Sequence, residues 1–145
     1  MEYTYQHYSL KGHLQVASSF KALNKMKIGI IGPKFFNNKL LFNKTIHCIL
    51  NKMHGPNLSK DDVLFITGDE VASLAKEFAI KHSYNHIIYR LDSDSLFASP
   101  VCNRIIVNQS DLVIAYWNST SASTWHAIQT AEMLSKPIIV IDVDE

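Results

Sequence analysis

Apolar runs long enough to cross a bilayer are missing from this sequence, since none approaches the roughly 20 residues a spanning helix needs. No membrane partner and no secretory leader are expected. Cysteine is scarce. Cys48 and Cys102 each sit among apolar neighbours without a CxxC companion, which argues against a disulfide scaffold and for reduced, buried thiols in a cytoplasmic protein. Charge of one sign is lacking too: 14 basic and 13 acidic residues are interspersed to a net +1, so the basic face that DNA or RNA binding needs is absent and nucleic acid is not an expected partner. Seven histidines build no metal motif, because His82 and His86 straddle a helix end and a strand start with no carboxylate placed as in HExxH. No metal and no cofactor are expected. With 47% hydrophobic residues in 145, there is apolar material for one core and one globular domain.

Residues 1–27 differ in texture from the rest. Tyr3, Tyr5, His7 and Tyr8 alternate with polar residues as an edge strand does, and QVASSFKALNKM has weak helical spacing. This stretch reads as an N-terminal extension appended to a domain over 28–145. From Ile28 onward apolar strands alternate with amphipathic helices, with strands near 28–32, 63–67, 86–90, 111–116 and 138–142. Pro100 suits the first turn of a short helix, PVCNRIIVNQ. Strands separated by helices require right-handed parallel crossovers and a sheet covered on both faces. The expected fold is α/β, a Rossmann-like three-layer sandwich with a five-stranded parallel sheet in the order 3-2-1-4-5. Its ligand crevice lies between the first and fourth strands, outside their carboxyl ends.

Four strand ends converge there: Gly32-Pro33-Lys34, Thr67-Gly68-Asp69, Asp92-Ser93-Asp94 and the segment from Trp117 to Thr124. Glycine lets backbone approach a ligand, and helix amides following Gly68 and Ser123 receive anions. Ser121, Ser123 and Thr124 exceed what one N-cap requires, which points to phosphate or ribose contact by at least one of them. Asn103 and Arg104 on the short helix are set beside the crevice, and Trp117 at a strand's carboxyl end suits either core packing or stacking on a base. Trp125 and His126 fall on the next helix's first turn, in positions that permit packing or ligand contact. Asp69 and Glu70 form an adjacent carboxylate pair at a strand end, suited to a ribose, to general-base work or to capping a helix.

From Ile28 to Asp142 the chain resembles the SLOG superfamily, in particular its small YspA-like branch of Rossmann-type proteins, with DprA and the LOG phosphoribohydrolases as more distant kin. Gly32-Pro33-Lys34-Phe35-Phe36 is similar to a first-strand Gly-Ser-Arg-x-Phe, and Leu74-Ala75-Lys76-Glu77-Phe78-Ala79 to a Leu-Ala-x-x-Tyr-Ala helix. Pro100-Val101-Cys102-Asn103-Arg104 is similar to a Pro-x-x-Arg-Asn segment. Asp111, Trp117, Ser121 and Thr124 fall on the fourth-strand motif, and Ala131 and Lys136-Pro137 follow in order. The resemblance implies binding of a nucleotide, a nucleotide sugar or a nucleotide-derived signal. Two departures reshape the phosphate cradle: Ser123 replaces the glycine before Thr124, and the loop after Gly68 is shorter and lacks its second glycine. Related glycosidic enzymes carry a glutamate just after their Gly-Thr, where this chain has His126, Ala127 and Ile128, and Glu132 lies too far along the helix.

The expected activity is therefore sensing or sequestration of an ADP-ribose-type or cyclic nucleotide, without turnover and with no catalytic residue. An N-glycosidic hydrolase or nucleoside (deoxy)ribosyltransferase using Asp69, Glu70, Asp92 or Glu132 is the first alternative. A protein-interaction module with a protein partner, in a viral or host-conflict setting, is the second. Small domains of this type leave apolar helix faces uncovered, and the aromatic leader adds contact surface, so a homo-oligomer is expected. Light scattering at tens of micromolar, on the order of a working assay, should return a dimer or larger species; a monomer alone would refute it.

Overall fold

The computed structural model describes residues 3–8, 26–53, 59–68, 71–89 and 98–143. Among the described residues eleven elements follow one another: β1 (Tyr3–Tyr8), β2 (Met26–Ile31), α1 (Lys39–Met53), a 3-10 turn (Lys60–Asp62), β3 (Val63–Gly68), α2 (Ala72–His82), β4 (Asn85–Tyr89), α3 (Ala98–Gln109), β5 (Leu112–Trp117), α4 (Ala122–Met133) and β6 (Ile138–Val143). They form a six-stranded sheet in the order β1-β6-β5-β2-β3-β4. Five strands, β4-β3-β2-β5-β6, are mutually parallel and reproduce the expected 3-2-1-4-5 arrangement. The sixth, β1, lies antiparallel to β6 with Tyr3 opposite Val143. The alternation of aromatic and polar residues at 3–8 thus does mark an edge strand, joined to the same sheet as the rest. Of the helical spacing read over 15–26, residues 15–25 lie outside the described residues and Met26 opens β2.

Period-two alternation sorts the strand side chains into two cores. On one face Ile28 and Ile30, Phe65, Leu112, Ile114 and Tyr116, and Ile139 and Ile141 pack under α1 and α2. On the other Ile31, Ile66, Val113, Ala115, Ile138 and Val140 pack under α3 and α4. Each helix supplies its stripe at helical spacing. In α1 the buried positions are Leu41, Phe42, Thr45, Ile46, Ile49, Leu50 and Met53, and Asn38 caps the start by accepting the Leu41 amide at 3.1 Å. The stripe in α4 is narrower and small-residued, with Ala127, Ile128 and Ala131 against the sheet. Two helices end on serines in the left-handed region, Ser83 at φ 62° after α2 and Ser135 at φ 55° after α4. The next amides close each turn, Tyr84 onto the Ala79 carbonyl at 2.8 Å and Lys136 onto Ala131 at 2.9 Å. Cys102 is buried, whereas Cys48 is half-buried because position 48 falls on the flank of the α1 stripe. Neither forms a disulfide.

Gly29 fixes how closely α3 approaches the sheet. A Cβ there would sit 2.2 Å from Ser110 Oγ and 3.0 Å from Ile106 Cγ2, so helix and strand meet only because position 29 has no side chain. Gly29→Ala is expected to cost roughly 1–3 kcal/mol by overpacking. Adding Ser110→Ala should recover part of the loss in urea unfolding, because the worst clash is with that hydroxyl; no loss in the single variant would show that α3 is free to move away.

Candidate functional site

The chain leaves β2 toward α1 on one face of the sheet and leaves β5 toward α4 on the other. Because β2 and β5 are parallel neighbours, their carboxyl ends diverge and leave a crevice, the topological switch point of an open α/β sheet. Gly32 forms one lip and the segment after Trp117 the other.

The serine-threonine cluster has a definite internal order. Ser121 is the N-cap of α4: its Oγ accepts the Thr124 amide at 3.3 Å and lies 3.0 Å from Thr124 Oγ1. Asn118 organises the approach, its Oδ1 accepting from the Thr120 amide at 3.1 Å, the Thr120 hydroxyl at 3.0 Å and the Ser121 amide at 3.0 Å. Ser119 between them takes a left-handed φ of 68°, which a tight polar turn of this kind demands. Thr124 is fully buried. Ser121 and Thr124 are thereby committed to capping, and half-buried Ser123 is the hydroxyl of the three with the weakest internal contact, 3.5 Å to Ser121 Oγ.

The glycines serve packing. A Cβ at Gly32 would lie 2.7 Å from Val71 Cγ1 and 3.4 Å from Tyr116 Cβ, so the space in front of it is taken by the start of α2. At Gly68 a Cβ would meet Ile106 Cδ1 at 3.4 Å. Among the described residues no glycine has a positive φ. Pro33 is buried and opens a turn closed by the Phe36 amide on its carbonyl at 3.0 Å, which leaves Lys34 exposed with its ammonium 5.8 Å above the Phe35 ring. Thr67 is sealed in the core and donates its hydroxyl to the Gly68 carbonyl at 2.8 Å. Asp69 and Glu70, and Asp92 with Ser93 and Asp94, lie outside the described residues.

Asn103 and Arg104 part company. Asn103 is buried and donates from Nδ2 to the Ser123 carbonyl at 3.4 Å, tying α3 to the first turn of α4. Arg104, one residue on, is exposed and faces the outer groove between α3 and α4, a space of about 470 Å³ that it shares with Asn108, His126, Met133 and Leu134. Asp111, expected from the SLOG resemblance as part of the fourth-strand motif, sits at the opposite end of the sheet. There it accepts the Lys27 amide at 2.8 Å and locks the start of β5 to β2. Glu132 is exposed near the end of α4.

Two features escaped sequence reasoning. Trp117 stacks on Trp125, rings 4.9 Å apart and 23° from parallel, and its Nε1 is buried with no hydrogen-bond partner among the described residues. The signal was the seven residues between a strand end and a helix's first turn, which bring the two indoles together only if the intervening loop doubles back as Asn118 makes it do. The other is an imidazole pair, His47 on α1 and His82 on α2, edge to face at 4.7 Å against Phe78. His82 is held below the ordinary histidine value by burial first, then by His47, Lys81 and Lys60. It gathers no carboxylate or thiol, and among the described residues no three His, Cys, Asp or Glu side chains group to hold a metal.

Fold and crevice together define an α/β protein of Rossmann-like architecture with a capped helix N-terminus at its switch point. The chain matches no protein-family model and no curated protein. No helix among the described residues is long and apolar enough to cross a membrane.

The cluster's internal order makes its serines unequal. Ser121→Ala removes the cap and strands the buried Thr124 hydroxyl, an expected loss of about 1–2 kcal/mol. Ser123→Ala should change stability by less than about 0.5 kcal/mol. Equal losses in denaturant titrations would contradict this assignment.

Proposed function

We propose that this chain binds a nucleotide-derived small molecule at the carboxyl edge of its sheet and does not turn it over. The observation that carries the reading is the placement of the α4 N-terminus: its first turn opens at the β2–β5 crevice, where helix amides ahead of the first intrahelical bond favour an anion. Ser123 is the hydroxyl left for the ligand, and Lys34 the exposed cation on the opposite lip. The stacked tryptophans supply flat apolar surface for a base. The likeness to SLOG proteins of the YspA-like type gives the ligand class, an ADP-ribose-type or cyclic nucleotide, and its use in signalling by sensing or sequestration. Glu132, exposed near the far end of α4, lends no support to glycosidic chemistry.

The interaction-module reading draws on a specific observation, the mutual satisfaction of Asn118, Thr120, Ser121 and Thr124, which leaves a phosphate fewer donors than the sequence offers. Self-association fits the same molecule. Met133 at 82% and Leu134 at 45% exposure put apolar surface on the α3–α4 layer.

Calorimetry against a panel of ADP-ribose derivatives and cyclic nucleotides, followed by chromatography of each ligand, tests the reading. One member should bind and be recovered intact. Lys34→Ala should weaken binding about ten-fold, the equivalent of one charge-assisted contact, and Glu132→Gln should leave it unchanged. Binding by none would favour the interaction module, and a released base would make the protein an enzyme.

A further inference from the structure

Trp117 and Trp125 are the only tryptophans in the chain, and they form one stacked pair at the end of β5. The two indoles are not equivalent. Trp117 is packed against the α3–α4 core, and its Nε1 is shut off from solvent with no acceptor among the described residues. Folded proteins seldom tolerate a sealed N–H of this kind without a reason. Trp125 lies on the first turn of α4, just after buried Thr124, and remains 43% exposed although it is the largest apolar side chain type available. The ring that carries this buried donor thus stacks on a ring that is itself partly exposed.

We propose that Trp125 is a displaceable cover over the face of Trp117 on which the flat ring of a nucleobase stacks in the complex. The assignment rests on the nucleotide reading above and deepens it. When Trp125 swings toward solvent, the base takes its place, and a ribose or phosphate oxygen attached to that base accepts from Trp117 Nε1. An indole N–H lies in its ring plane, so the acceptor must come from the ligand's substituent and not from the stacked ring itself. The ligand class is accordingly a nucleoside phosphate, with the base and the sugar phosphate both needed. The rejected arrangement is a platform, in which the base stacks on the outer face of Trp125. It leaves Nε1 unpaired and predicts the opposite sign for removal of Trp125.

The sign is the test. Excited at the red edge, where the six tyrosines do not absorb, emission belongs wholly to this pair, so wild type, Trp125→Ala and Trp125→Phe are titrated with adenosine monophosphate, ADP-ribose and, as a base-free control, ribose 5-phosphate. In the wild type, binding should shift emission to the red and raise acrylamide quenching as Trp125 enters water. Trp125→Ala should bind adenosine monophosphate or ADP-ribose about five-fold tighter than wild type, the equivalent of one aromatic pair no longer broken on binding, with Trp125→Phe in between. Ribose 5-phosphate should bind all three alike. Trp117→Phe, which keeps a stacking face and deletes the N–H, should weaken the nucleotides. If wild type binds a nucleotide and Trp125→Ala binds it equally or less tightly, the cover is refuted while the nucleotide reading stands. If neither protein binds either nucleotide, the cover is refuted, and the nucleotide reading fails with it when the cyclic nucleotides of the calorimetry panel also do not bind.

Discussion

Everything at the candidate site depends on the parallel pairing of β2 with β5. Four residues of each strand are in register, Ile28 with Leu112 through Ile31 with Ala115, and all but Gly29 of the β2 set contribute apolar side chains to one core or the other. These two strands are central, so both helix layers lean on them. The crossovers from β2 and β5 must then depart on opposite faces, and the gap between their ends follows from connectivity before any site residue is chosen.

The adjacent residues Tyr116 and Trp117 turn that gap into a structure with walls. Facing opposite sides of the sheet, they anchor opposite lips. Tyr116 stacks on Phe36 at 4.8 Å and on Phe42 at 5.4 Å, and its hydroxyl meets Thr45, which pins the loop after β2 and the start of α1. Trp117 reaches the α4 side and meets Trp125. A shift of one residue in β5 would exchange the two faces and unfasten both lips at once. The close contact of Gly32 with Tyr116 and Val71 adds a third fastening, from α2.

The architecture was legible because its signals are periodic. Apolar runs separated by stripes at helical spacing yield parallel strands, and the order 3-2-1-4-5 expected of a Rossmann-like sheet is the order observed. Even Tyr3 to Tyr8 showed its edge-strand alternation, although nothing in a local pattern says which strand will be its neighbour. The site was legible in place and less so in detail. Gly32 and Gly68 signal close approach, but a glycine cannot say what approaches, and here it is Val71 and Ile106. Hydroxyls in a row signal a helix start, but how they share hydrogen bonds depends on Asn118 and the left-handed Ser119. Asn103 and Arg104 are neighbours in sequence and about 100° apart around a helix, so one is turned inward and the other toward the outer groove.

The pairing of β1 with β6 has a kinetic side. Tyr3 and Val143 are joined only when nearly the whole chain has been brought together, a loop closure whose entropy cost is met after the local crossovers have formed. Until then the segment IIVIDV presents an open, β-branched edge whose one charge is Asp142, the kind of surface that recruits strands from other molecules. The antiparallel strand therefore acts as a late-arriving shield. The interval before it docks is when this protein is most exposed to aggregation, and slow docking would lower the yield of folded protein without altering the stability of what does fold.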